Sequence, residues 1–271
     1  MNVVNPLICV LSPRSIDIVK EGHDTFKHVP HLWLKFWSAI QAYHILTDFF
    51  LNKPLGKQFT HLVIAPDDLV VKREHYDALV KTLQEEDYPA FSGVCNIDCV
   101  HADVLNICVD EVPNIIRKLR RHKWAHVSKV PEGIIKVKFS GMPFMFIRRD
   151  IVEAVPLRGD TLYDVNRQHQ EPKSFDAAFC WECHQRNIPI HVDTRIKMLH
   201  LRGMKYDTAT GSQVNNMRTK KDTPKAYFQV NDEIQDFTNH YLAYIYRLNP
   251  YDSAVYLKRF VSSAMLASIK L

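Results

Sequence analysis

The sequence predicts an α/β protein with a mixed, mostly parallel sheet flanked by helices, followed by a C-terminal helical extension. Two observations lead to this prediction. Short apolar runs typical of buried strands alternate with segments of helical periodicity over residues 1–204. The composition, 46% hydrophobic and 24% charged over 271 residues, is sufficient for a large buried core.

The chain divides into three predicted regions. Residues 1–204 form the α/β domain, residues 205–230 a basic linker or flexible loop, and residues 231–271 the helical extension. Two helices, 231–249 and 253–270, make up the extension. They pack on the core, pair with a second copy of the chain as a homodimer, or contact a membrane surface.

The first elements follow from local patterns. A buried strand over residues 5–11 ends in the turn Ser12-Pro13-Arg14-Ser15. Apolar residues then recur at three- and four-residue steps over residues 32–52, which predicts one long amphipathic helix with its aromatic side chains in the core. A strand over residues 59–65 and a helix over residues 72–86 come next.

The later elements continue the alternation. A helix over residues 113–124 carries a run of basic side chains, which is either a solvated face or a contact for an anionic acceptor or membrane surface. A long polar loop follows at residues 158–173. The other predicted strands are 90–96, 104–109, 134–139, 144–147 and 190–196, and the other predicted helices start near residues 148 and 174.

Composition excludes several classes of protein. With only 8 Gly and no glycine-rich run, the chain lacks a Walker loop and a dinucleotide-binding fingerprint. A net charge of +5 is modest for this length, so no nucleic-acid partner is expected. No apolar stretch of membrane-spanning length or signal peptide is evident, so we expect a cytoplasmic protein, either free or peripheral on a membrane.

Six cysteines in such a chain predict reduced thiols rather than disulfides. Two spacings leave alternatives open. The sequence Cys180-Trp-Glu-Cys183-His184 matches the short pattern of covalent haem attachment. Cys95 and Cys99 could join Cys180 and Cys183 in a zinc site.

Two adjacent acids, Asp67 and Asp68, directly follow the strand at residues 59–65. In one interpretation, one acid caps the next helix while the other is solvated. In the other, the pair holds a divalent cation together with a phosphorylated ligand. Three later features enter the comparison with this pair. Gly141 stands in a tight turn between two strands, Asp176 lies at a helix start, and His200 follows the last strand of the domain.

These features together resemble the GT-A family of nucleotide-sugar-dependent glycosyltransferases. The resemblance covers residues 3–203. It depends on three stretches of sequence. The first, Val63-Ile64-Ala65-Pro66-Asp67-Asp68-Leu69, is similar to the family's Asp-x-Asp motif. The second is Phe139-Ser140-Gly141 with residues 144–149, similar to the family's sugar and acceptor turn, and the third runs from Ser174-Phe175-Asp176 to His200. One departure is Pro66, which occupies the position of the first acid of the motif.

The resemblance implies a fold, a reaction and a site. The fold would be a GT-A, Rossmann-like sheet, and the reaction would move a sugar from a nucleoside-diphosphate sugar to an acceptor glycan, lipid or protein. Asp68 and His200 would bind Mn²⁺ (or Mg²⁺), and Asp176 would be the catalytic base. The residues implied in nucleotide and donor binding are Ser12, Pro13, Arg14, Asp67, Gly141, Arg202 and Lys205.

Two alternatives to this hexosyltransferase-type enzyme remain. A catalytically silent GT-A-like binding module is suggested by Pro66, since the motif then has one fewer carboxylate. Another metal-dependent nucleotide enzyme, such as a nucleotidyltransferase, would use the same acids, but the chain lacks a glycine-rich signature near the first strand.

Overall fold

Strands and helices alternate along the computed structural model, which describes residues 2–12, 16–37, 39–97, 101–110, 124–155, 157, 175–201 and 224–248. The strands are β1 (Pro6–Ser12), β2 (His31–Lys35), β3 (His61–Pro66), β4 (Leu69–Val70), β5 (Ala90–Cys95), β6 (Ile107–Cys108), β7 (Ile134–Val137), β8 (Phe139–Ser140), β9 (Met145–Arg148), β10 (Ile190–His200), β11 (Lys225–Val230) and β12 (Glu233–Asp236). The α-helices are α1 (Asp17–Asp24), α2 (Ala39–Asn52), α3 (Arg73–Glu85), α4 (Arg149–Ala154), α5 (Phe175–Gln185) and α6 (Thr238–Leu248). The predicted α/β class is therefore confirmed.

Ten strands form one mixed sheet in the order β12-β11-β2-β1-β3-β9-β5-β10-β4, with β7 also paired to β10. β1 lies parallel to both β2 and β3, and β5 lies parallel to β10. β9 runs antiparallel between β3 and β5, so β2, β1, β3, β5 and β10 all point the same way. Their carboxyl ends lie at one edge of the sheet.

The strands are buried on both faces because helices cover both. In β1, Leu7 and Cys9 face one hydrophobic cluster, and Ile8 and Val10 face the other. Helices α2, α4, α5 and α6 contribute to the first cluster, and α3 contributes to the second, where α1 also packs through His23. Continuous apolar strands of this kind are typical of parallel sheets between two helix layers.

The chain reverses its winding direction beside β1. The connection through α1 places β2 on one side of β1, and the connection through α2 places β3 on the other. In open α/β sheets, ligands bind outside the carboxyl ends of the strands at such a switch point. Ser12 ends β1 there, and Asp67 and Asp68 follow the end of β3 there.

The predicted helix over residues 32–52 is wrong in its first part. His31–Lys35 form β2, and α2 begins only at Ala39. Phe36 between them has a φ of 61°, a left-handed conformation that interrupts a continuous helix. The aromatic residues do recur at helical spacing, but the run at the start of the segment is buried without a break, which is the pattern of a central strand.

The boundaries of the predicted linker and extension also change. Residues 225–230, assigned to the linker, and 233–236, assigned to a helix, form a hairpin in which β11 pairs with β2. The helical part of the extension starts at Thr238 as α6. The hairpin forms because β2 would otherwise expose unpaired backbone groups along that side of the sheet.

Some predicted features lie outside the described residues. They are the basic helix up to residue 123, the loop at residues 158–173, residues 205–223 of the linker and the helix at residues 253–270. Within the part of the chain that the structure describes, none of the helices has the length and apolar character needed to cross a membrane.

Candidate functional site

A cavity of about 290 Å³ opens at the switch point of the sheet. The ends of β1 and β3 form its floor, and α2, α5 and the turn after β8 form its walls. Five predicted site residues meet here: Ser12, Asp67, Asp68, Gly141 and Asp176. The other lining residues are Leu11, Leu34, Trp37, Ala42, Tyr43, Ile64, Pro66, Met142 and Phe175.

Asp68 and His200 lie side by side at this end of the sheet, although 132 positions separate them in the sequence. The short strand β4 directly after Asp68 pairs antiparallel with the last residues of β10. The Leu201 amide donates to the Asp68 carbonyl at 2.7 Å, which fixes the register. Nε2 of His200 is consequently 3.5 Å from Oδ2 of Asp68.

The ring of His200 is held in one orientation. Its Nδ1 lies 2.9 Å from the carbonyl oxygen of Asn96. A carbonyl oxygen only accepts hydrogen bonds, so Nδ1 donates and Nε2 is the nitrogen directed toward Asp68. A hydrogen bond from one ring nitrogen to a backbone carbonyl is the usual support for a histidine that binds a metal through the other.

The separation of these two atoms suits a shared cation. Two ligand atoms about 2.1 Å from one ion lie about 3.0 to 3.4 Å apart at octahedral to tetrahedral angles. Over the described ranges, no group of three or more His, Cys, Asp or Glu side chains is arranged to bind a metal. Asp68 and His200 by themselves would supply two ligands of a divalent ion, and phosphate oxygens or water would supply the others.

Asp67 lines both the main cavity and a second, smaller pocket. It is buried, with 3% of its surface exposed, between the main cavity and a small pocket lined by Lys20 and Lys35. Burial and then the neighbouring Lys20 lower the pKa of Lys35. The structure thus separates the two acids, with Asp67 near Ser12 and two lysines, and Asp68 near His200.

Asp176 lies in the first turn of α5 and lines the cavity. Its Oδ1 accepts a hydrogen bond from the Ala177 amide at 2.8 Å, so the carboxylate also stabilises the helix start. Burial, with a further contribution from the Asp176 carboxylate, raises the pKa of the Tyr43 hydroxyl. Asp176 therefore lies at a helix start, as predicted, and also at the cavity.

Gly141 lines the cavity, but the space beside it is filled by protein. A Cβ at this position would lie 1.8 Å from Nδ2 of Asn106, and the Gly141 amide donates to the Asn106 carbonyl at 2.9 Å. The sequence predicts a tight turn at Gly141, and the resemblance implies that it contacts the donor. The structure gives a different reason for the glycine, which is the packing of the Asn106 side chain.

Sequence reasoning missed the aromatic wall of the cavity, which consists of Trp37, Tyr43 and Phe175. The rings of Tyr43 and Phe175 stack with centroids 4.0 Å apart and planes 21° apart. Trp37 is held by a hydrogen bond from Nε1 to the Lys225 carbonyl at 2.8 Å. The helical spacing of these aromatic residues in the sequence predicts that they lie in the core. The one signal of a site was the position of Trp37 just beyond the end of a strand.

Four predicted site residues lie outside the described residues. They are Pro13, Arg14, Arg202 and Lys205.

Of the four cysteines in the zinc hypothesis, Cys99 lies outside the described residues, and the other three do not converge. Cys95 packs in the cluster on one face of the sheet, and Cys180 and Cys183 pack in the cluster on the other. Burial, followed by the charge of Asp68, raises the pKa of Cys95 to about 12. The five cysteines in the described ranges are free and buried, and their environment favours thiols over metal-binding thiolates.

The chain matches no protein-family model and no curated protein. Among solved structures it is similar to the crystal structure of A197 from STIV, with a TM-score of 0.45 and 13% sequence identity. That similarity covers 85% of this chain and 93% of the other.

Proposed function

We propose that this protein is a divalent-metal-dependent glycosyltransferase of the GT-A type, which uses a nucleoside-diphosphate sugar as donor. The observation that carries this proposal is the convergence of Asp68 and His200 at a cavity that Asp176 also lines. A cation-binding pair and a separate carboxylate at a sheet switch point are the parts that sugar transfer from a diphosphate requires.

Asp68 and His200 would hold Mn²⁺ or Mg²⁺, and the imidazole favours Mn²⁺. Such an ion, when bound, neutralises the charge that develops on the departing diphosphate. Ser12 and Asp67 lie on the β1 side of the same cavity, where they would contact the nucleoside. The carbonyl of Asn96 keeps His200 in the orientation that the ion needs.

Asp176 would act on the acceptor. Its carboxylate takes the proton of an acceptor hydroxyl while the acceptor oxygen bonds to the anomeric carbon of the sugar. The bond between that carbon and the diphosphate oxygen breaks, and the nucleoside diphosphate leaves with the electron pair. The aromatic side chains that line this half of the cavity would exclude water from the bound substrates, which would favour transfer over hydrolysis.

The first test is thermal unfolding with a panel of nucleoside diphosphates (UDP, GDP, ADP and CDP), each with and without Mn²⁺. One of them with Mn²⁺ should raise Tm by about 5 to 10 °C at concentrations 100 times Kd, and the shift should vanish in Asp68→Asn and His200→Gln. Asp232→Asn is the control, because that carboxylate is exposed and pairs with Lys27 on the surface. A shift retained in both site variants, or no shift with any nucleotide, would contradict the proposal.

A catalytically silent binding module is the second candidate, and Pro66 favours it. Pro66 ends β3 and lines the cavity where the motif's first acid would supply another carboxylate. Hydrolysis of nucleotide sugars by the purified protein separates the two functions, since turnover that Asp68→Asn abolishes excludes silence. Release of pyrophosphate from nucleoside triphosphates would instead indicate a nucleotidyltransferase.

A further inference from the structure

We infer that the protein has a further ligand site, in which a small organic anion places its phosphate or carboxylate group between Lys35 and Lys225 and its apolar part on Phe36, Tyr227 and Ile234. These residues line a cavity of about 380 Å³, called the hairpin cavity below, which is larger than the main cavity and within the range of small-molecule sites. The two cavities share none of their described lining residues, so the inference does not depend on the proposed function.

The hairpin cavity lies on the opposite face of the sheet from the main cavity. Successive side chains of a strand point to opposite faces, so Leu34 and Lys35 at the end of β2 do so. Leu34 lines the main cavity, and Lys35 lines the hairpin cavity. The hairpin of β11 and β12, which pairs with β2, supplies most of the remaining lining.

Two lysines face each other across neighbouring strands in the hairpin cavity. Lys35 on β2 and Lys225 on β11 are directly opposite in an antiparallel pair, so their side chains leave the same face of the sheet. Like charges at opposite positions destabilise a sheet. After the larger effect of burial, the charges of Lys20 and Lys225 both lower the pKa of Lys35. An anion bound between the two ammonium groups would offset their repulsion.

The acids near these lysines do not compensate their charge. In the part of the chain that the structure describes, neither Lys35 nor Lys225 forms an ion pair with a carboxylate. Asp17 and Asp24 raise the pKa of Lys35, but each has a smaller effect than either neighbouring lysine. Asp236 also lines the hairpin cavity, where its carboxylate accepts a hydrogen bond from a backbone amide at the start of α6, 2.7 Å away.

The ammonium group of Lys35 is held in position. Its Nζ lies 5.6 Å from the centroid of the Trp33 ring and 5.7 Å from the centroid of the Tyr227 ring. Such cation–π contacts hold an ammonium group but do not neutralise its charge. Because the side chain is half-buried and already ordered, an anion that binds it causes little further loss of side-chain entropy.

The rest of the lining favours a ligand with an apolar part. Phe36 and Tyr227 are partly exposed, and Ile234 is 62% exposed. All three line the hairpin cavity. A ligand that covers them removes apolar surface from water, which stabilises the complex. An organic anion should therefore bind more tightly than inorganic phosphate.

The test is an NMR titration of the isotope-labelled full chain without added divalent cations. The probes are phenyl phosphate, benzoate, inorganic phosphate and the neutral benzyl alcohol. Phenyl phosphate or benzoate should shift the amide signals of Lys35, Lys225 and Tyr227 and leave those of Gly141 and Asp176 in the main cavity unchanged. The comparison of phenyl phosphate with benzoate shows which of the two anionic groups the site prefers.

Lys225→Gln should weaken binding of the organic anion about tenfold, because one of two charged donors is lost. Its Tm without ligand should be no lower than that of the wild type, since the substitution removes a repulsion. Lys136→Gln is the matched control. It changes an exposed strand lysine on β7, which pairs with β10 at the other end of the sheet.

Three results would contradict the inference. Equal affinities in Lys225→Gln and Lys136→Gln, or benzyl alcohol binding as tightly as phenyl phosphate, would exclude recognition of the anionic group. Inorganic phosphate binding as tightly as phenyl phosphate would exclude a role for the apolar lining. If neither organic anion shifts the amides of the hairpin cavity at concentrations up to about 10 mM, the site does not exist. None of these results changes the outcome of the nucleotide test with Mn²⁺.

Discussion

Two consecutive arginines at the junction of β9 and α4 show how position decides the role of a residue. Arg148 pairs with Asp87 and Asp150 at 2.6 Å on the surface. Arg149 instead donates four hydrogen bonds, to the carbonyls of Phe50, Gly56 and Phe59, at 2.6 to 3.1 Å. Its guanidinium also lies 4.1 Å above the ring of Phe50. Arg149 thus connects the end of α2 to the segment that leads into β3.

Arg149→Met should lower the free energy of unfolding by about 3 kcal/mol, because three carbonyls lose a charged hydrogen-bond donor in partly buried positions. Arg148→Met should cost less than about 1 kcal/mol, since exposed ion pairs contribute little. Urea unfolding of the two variants measures both values. Similar costs for the two substitutions would contradict this account of Arg149.

The elements that the sequence predicts correctly are those whose pattern is local. The strand at residues 5–11 is confirmed as β1, and the helix at residues 72–86 is confirmed as α3 with slightly narrower bounds. β11 could not be predicted, because it forms by pairing with β2 nearly 200 positions earlier. β2 itself was hidden by aromatic residues whose spacing also fits a helix.

The candidate site also combines residues that a local sequence pattern indicates with contacts that form only in the folded chain. The sequence indicates Asp67, Asp68 and Asp176 because acids at strand and helix ends are conspicuous, and the structure places all three at one cavity. The support that Asn96 gives His200 has no sequence signal, because the backbone carbonyl, which every residue has, makes the contact. The aromatic wall forms because one side of α2 faces the end of the sheet, and helical periodicity alone does not predict which side that is.

The turn after β8 yields a prediction at the scale of elements. Gly141→Ala would push a Cβ into the Asn106 side-chain amide. The substitution should destabilise the fold by about 1 to 3 kcal/mol and disturb the cavity wall. The double variant Gly141→Ala/Asn106→Ala should recover part of that loss, because the obstructing amide is gone. Additive costs in a double-mutant cycle would contradict this packing explanation.

At the scale of the whole molecule, the two helix layers bury several histidines together with the core. His23 and His31 are 1% and 2% exposed, and their ring nitrogens lie 3.2 Å apart. Burial lowers the pKa of His31 from 6.5 to about 4, and burial followed by the nearby His31 lowers the pKa of His23. His61 is also buried, and burial lowers its pKa to about 4. The folded chain therefore keeps these rings neutral.

Stability should consequently fall as the pH falls from about 6.5 to about 4. In this range the unfolded chain binds protons that the folded chain excludes, so the free energy of unfolding rises with pH and levels off above 6.5. His31 and His61 should each contribute about 2 kcal/mol to the loss between pH 7 and pH 5.

Urea unfolding at pH 7, 6 and 5 measures the slope of the free energy of unfolding against pH. His31→Asn should flatten it by about 2 kcal/mol across this interval, whereas His184→Gln, which changes an exposed ring at the end of α5, should follow the wild type. A slope that His31→Asn leaves unchanged would show that the buried pair does not control acid stability.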